Sequence, residues 1–121
     1  MTPENHDAAF GAVSHLPHML AFAYFNSVAR QPAGKDFLSL AGPGFRDFTR
    51  IAASDVDVWR DVLLSNREEV LKQAQRFRHA LDAMELAMKS GNAEALEDMI
   101  RSASEARGAW QMNSSKPTTY R

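Results

Sequence analysis

Cysteine is absent from this chain, which excludes disulfides and thiolate metal sites. No apolar run reaches the length that a membrane span needs, so no membrane partner is expected. Neither sign of charge is in excess: 14 Lys and Arg against 15 Asp and Glu leave a formal net charge of −1. A chain so balanced offers no basic surface for nucleic acid. There is no G-x-G-x-x-G following a strand pattern and no P-loop, hence no visible nucleotide cradle. The start, Met1-Thr2-Pro3-Glu4-Asn5-His6-Asp7, is polar and acidic, unlike a signal peptide, and the expected compartment is the cytoplasm. Strand-like alternation, internal repeats and low-complexity blocks are also missing.

What is present reads as helix. With 121 residues, 45% hydrophobic and 24% charged, the chain can form one domain with one core. Thr2 followed by Pro3 is a helix start, a capping hydroxyl before a proline in the first turn. The helical pattern runs to about Arg30, and Pro17 should kink or break it near Ser14-His15-Leu16. Beyond the kink, Leu20, Ala21, Phe22, Tyr24, Phe25 and Val28 make the helix apolar on most sides, which predicts burial in a core or a subunit interface. Gln31-Pro32-Ala33-Gly34 is a turn. The stretch Ala41 to Ala52 organises the chain. Gly42 and Gly44 permit unusual backbone geometry. Phe45, Phe48, Ile51 and Ala52 then recur at helical spacing and predict one buried face.

Ser54 or Asp55 can cap the next helix, with Trp59, Val62 and Leu63 inward. Asn66 with Glu69 resembles a capping box. Val70, Ala74, Phe77, Leu81, Met84 and Met88 follow at alternating four and three, a heptad seam. Ser90-Gly91-Asn92 stops that helix, and Asn92 can cap the last one. There Leu96, Ile100, Ala103 and Trp110 continue a matching seam. The fold expected is all-α: a kinked N-terminal helix, a C-terminal antiparallel helical hairpin, a helical domain over residues 1–112 and a tail or linker over 113–121.

Several residues are candidates for chemistry. Arg46 and Arg50 lie one turn apart and suit a carboxylate; equally, both could be solvated or paired with Asp47 and Asp55. Under uniform periodicity Asp7, Ser14 and His18 share a face, with His15 on the adjacent one. They either line a pocket completed by Arg46 or Arg50, or the histidines bond to carbonyls freed at the proline kink. His15 and His18 have an i, i+3 metal spacing, but no second E-x-x-H supplies further ligands, and no metal is expected. Ser14 beside His15 is not a dyad, because neighbouring helical side chains diverge. Trp59 is a pocket wall or a core anchor, His79 reads as surface, and the methionines read as packing.

Two long motifs carry a resemblance. Val13-Ser14-His15-Leu16-Pro17-His18 with Ala21-Phe22-Ala23 is similar to the first motif of the C-terminal domain of prephenate dehydrogenases. Gly42-Pro43-Gly44-Phe45-Arg46-Asp47-Phe48-Thr49-Arg50-Ile51-Ala52, then Ser54-Asp55 and Trp59-Arg60-Asp61, is similar to the second. Pro3-Glu4-Asn5-His6-Asp7 also looks like that domain's first helix. The resemblance covers roughly residues 3 to 112 and keeps motif order. Pro43 departs from it, since the family more usually has glycine there.

The resemblance implies the C-terminal domain of an NAD(P)-dependent enzyme of tyrosine biosynthesis. The enzyme converts prephenate, or in some members arogenate, by oxidative decarboxylation, prephenate giving 4-hydroxyphenylpyruvate. The family's N-terminal Rossmann domain, which holds NAD or NADP and the catalytic histidine, is not in this sequence. This chain alone is therefore expected to bind no cofactor and to be inactive, with no catalytic residue of its own. The helical domain would form the homodimer and part of the substrate pocket. The resemblance places Arg50, His18 and Trp59 at that pocket, with Arg50 the carboxylate partner. Ser14, His15 and Arg46 would support it, and Asp7 is a gating or ion-pair candidate for Arg50. The alternative is a stand-alone dimerisation module, or one that binds an aromatic keto acid without catalysis.

Overall fold

The computed structural model describes residues 1–113, with side chains to residue 110. Every regular element among the described residues is helical. In order they are α1 (Pro3–Phe10), a π-turn (Gly11–His15), α2 (Leu16–Ala29), α3 (Gly34–Ser39), α4 (Pro43–Thr49), a 3-10 turn (Arg50–Ala52), α5 (Val56–Ser65), α6 (Arg67–Lys89) and α7 (Ala93–Asn113). The expected tail beyond residue 113 lies outside the described residues. Two compact units divide the chain, Met1–Ala74 and Gln75 onward.

The start is capped as its sequence predicts: the Thr2 side chain accepts from Asn5 N–H at 3.1 Å. Pro17 does not break the helix. A helical proline ring clashes with the carbonyl four residues back, here that of Val13. The preceding turn widens into π geometry instead, and Leu16 N–H reaches the carbonyl of Gly11, five residues back. The kink is thus a π-turn, a local insertion of one residue. α2 is the hub of the first unit, in contact with the π-turn, α3, α4 and the 3-10 turn.

The glycine–proline stretch differs from its sequence reading. Gly91 alone among the described residues has a positive φ, 64°. Gly42 is extended, and a Cβ at Gly42 or Gly44 would meet nothing within 4 Å. Phe45, Ile51 and Ala52 are covered as expected, together with Thr49, but Phe48 is 53% exposed. After Thr49 α4 tightens to 3-10, and the Thr49 hydroxyl donates to the Phe45 carbonyl at 2.7 Å. A threonine so satisfied can be buried, and Thr49 is 8% exposed.

Asp55 caps α5, accepting from Val58 N–H at 2.9 Å. No capping box joins Asn66 to Glu69; the Asn66 amide turns elsewhere. The heptad seam is split between the units: Val70 and Ala74 are buried in the first. In the second, α6 and α7 form a helical hairpin around 90–92. Asn92 N–H bonds back to Ala87 O, and Asn92 Oδ1 caps Ala95. Cover is concentrated next to the turn, at Ala87, Ala95, Leu96 and Met99. Phe77, Leu81, Met88, Ile100 and Trp110 remain exposed, so the expected seam is only partly closed within one chain.

Candidate functional site

A file of rings runs down the first helix. His6 meets Phe10 at 4.5 Å between centroids, Phe10 stacks on His15 at 6.4 Å, and His18 meets Phe22 at 6.4 Å. The Phe10–His15 step spans five residues. In an α-helix that offset points to opposite sides; the π-turn brings the two onto one face. Trp59 of α5 closes on this file. Its ring stacks on His18 at 3.5 Å and 14°, and receives His15 edge-on at 6.1 Å and 76°. All three side chains are half-buried.

Each histidine has a fixed partner. His18 Nδ1 lies 2.8 Å from the Ser14 carbonyl, one of the carbonyls around the proline kink. His15 Nδ1 lies 3.1 Å from Asn66 Nδ2, which also donates to the Asp7 carbonyl at 2.9 Å. Burial lowers the His15 pKa from its ordinary 6.5; His18 and His6 lower it further, and only Asp7 opposes them. Among the described residues no group of three His, Cys, Asp or Glu side chains could hold one.

The structure therefore brings His15, His18 and Trp59 together, with Ser14 serving through its carbonyl. Asp7 does not share the His18 line. The extra residue of the π-turn rotates everything upstream by about 100°, and His6 heads the file instead. The Asp7 carboxylate lies 3.7 Å from His6 Nδ1, and no ion pair joins it to Arg50. Arg46 is exposed, 3.8 Å from Asp47. Arg50 is exposed on the 3-10 turn, which packs on α2. No described residue gives its guanidinium a hydrogen bond or ion pair. An exposed guanidinium with no internal partner is available to an anion from outside. Asn66 and Phe10 were missed from sequence: Asn66 reads as a cap, and Phe10 falls out of phase with His15 unless the π-turn is known.

Comparison with known proteins gives a consistent set. The family described as prephenate dehydrogenase, dimerization domain, matches residues 2–102. The chain is 32% identical to a prephenate dehydrogenase of Bacillus subtilis over 88% of its own length, and 34% identical to one of Lactococcus lactis over 91%. It spans 29% and 31% of those two relatives. Among solved structures, prephenate dehydrogenase from Aquifex aeolicus, in complex with hydroxyphenyl propionate and NAD+, superposes with a TM-score of 0.84 at 37% identity. That match covers 90% of this chain and 38% of the other. Synechocystis arogenate dehydrogenase also gives 0.84, at 26% identity, over 91% of this chain and 41% of that one.

Proposed function

Since the chain belongs to the prephenate dehydrogenase dimerization-domain family, we infer that it is the C-terminal domain of an NAD(P)-dependent prephenate or arogenate dehydrogenase. It supplies the homodimer interface and one wall of the substrate pocket. The observation that carries the pocket reading is the pairing of an aromatic platform, His18 on Trp59, with an unpaired Arg50 on a turn packed against the same helix. A flat apolar ring and a free guanidinium suit a small ring compound bearing carboxylates.

In that role the domain does little proton chemistry. It holds a dianion against the nicotinamide while hydride leaves the ring carbinol carbon and carboxylate departs as CO₂. NAD or NADP and the general base come from the nucleotide-binding domain of the complete enzyme. The 121-residue chain alone is accordingly inactive and binds neither cofactor. The relative solved with NAD+ and hydroxyphenyl propionate supports a complete enzyme that takes a nicotinamide cofactor and a small aromatic acid.

The test is a kinetic comparison in the complete enzyme. Arg50→Ala should raise KM for prephenate by a factor equivalent to about 2–5 kcal/mol, with NAD(P) affinity nearly unchanged. Arg50→Lys should recover only part of that, because an ammonium lacks the planar fork. If Arg46→Ala is the more damaging and Arg50→Ala is silent, the carboxylate partner has been misassigned.

A further inference from the structure

The Asn66 side chain fixes more than the α5–α6 junction. Its Nδ2 faces both the Asp7 carbonyl and His15 Nδ1. A peptide carbonyl only accepts, so the group facing Asp7 is the amide NH2 and not its oxygen. An amide NH2 only donates, so His15 Nδ1 is an acceptor. A neutral imidazole carries one N–H, which must then be on Nε2. His18 is set the opposite way. Its Nδ1 faces the Ser14 carbonyl and must be the donor, which leaves Nε2 an acceptor when the ring is neutral. Neither Nε2 has a partner among the described residues.

We propose that Asn66 is a positioning residue that locks His15 as a neutral Nε2–H donor. The two imidazoles around Trp59 thereby offer opposite hydrogen-bonding faces, a donor from His15 and an acceptor from His18. The chemistry that the His15 face suits is a ligand oxygen taking a hydrogen bond from an uncharged donor. That consequence rests on the pocket reading above; the tautomer itself does not.

The lock is read directly by long-range 1H–15N correlation on the 121-residue chain with labelled histidine at neutral pH. His15 should show a pyridine-type Nδ1 and a pyrrole-type Nε2, and His18 the reverse. Asn66→Asp replaces the donor with an acceptor and should move the His15 proton to Nδ1. Asn66→Leu removes the hold and should give a tautomer mixture, while circular dichroism verifies that each variant stays helical. A wild-type His15 with its proton on Nδ1, or an Asn66→Asp chain with an unchanged tautomer, overturns the proposal. In the complete enzyme, Asn66→Asp should raise KM for prephenate about tenfold, the worth of one good hydrogen bond, with NAD(P) affinity unchanged. A tautomer lock with unaltered KM in Asn66→Asp, alongside a damaging Arg50→Ala, overturns the positioning role and leaves the pocket reading standing. A silent Arg50→Ala instead sinks the pocket reading, while a tautomer that flips with Asn66→Asp still upholds the lock.

Discussion

At Gly34 the need for glycine is steric. A Cβ there would run into Ala29 O and stand 2.7 Å from Ala29 C and 2.9 Å from Val28 O, all backbone atoms that cannot give way. Gly34→Ala should therefore cost on the order of 1–3 kcal/mol, read as a lower urea midpoint. Gly44 is the contrast, since it lies inside α4 at ordinary φ with open space around it. Gly44→Ala should raise stability by about 0.5–1 kcal/mol; a loss would mean that another molecule approaches this backbone. His15 sets a pH dependence. Its folded pKa is below 6.5, so the native state binds fewer protons than the unfolded state in the window just below 6.5. Stability is full above that value and falls as pH drops through the window. Urea midpoints between pH of about 8 and about 5.5, above most carboxylate titration, should show the decline, and His15→Gln should flatten it.

Among the elements, the π-turn is the one that sets the ring file. Val13 lies within it and is 73% exposed, so deletion there should restore an ordinary turn without losing buried surface. Phe10 and His15 would then be four apart in an α-helix and still share a face. In a Pro17→Ala background, which removes the ring clash, deletion of Val13 should leave cooperative unfolding intact. Deletion of Met19 from α2 has no such slack and should rotate the helix upstream by about 100°, abolishing the cooperative transition. Equal tolerance of both deletions would refute the π-turn as the source of register.

At the scale of the whole molecule, the large apolar side chains left uncovered are the dominant fact. Among the described residues they include Tyr24, Phe25 and Phe37 on α2 and α3, Phe48 on α4, and the open seam at Leu81 and Ile100, and the family whose model matches is a dimerization domain. Sedimentation at micromolar concentration should give a dimer. Phe25→Asp, at a ring that is 36% exposed and meets Phe45 at 5.8 Å, should give a monomer or an aggregate; an unchanged dimer would move the interface off α2.

The sequence by itself determined the longer helices and several of their ends, though not the short α3, because caps, prolines and apolar spacing act over a few residues: Thr2, Asp55 and Asn92 do what their side chains predict. It also carried the family, since two motifs in order survive in linear text. What it could not carry was phase across the kink. Whether Pro17 is met by a break or by a π-turn depends on what packs against the helix, and that choice decides whether Asp7 or His6 faces His18. Nor could it carry the Asn66 clamp, since Asn66 is 59 positions from Asp7 and 51 from His15. Periodicity has no reach over such distances; only the packing of α6 on the π-turn at Gly11 brings that amide to the imidazole.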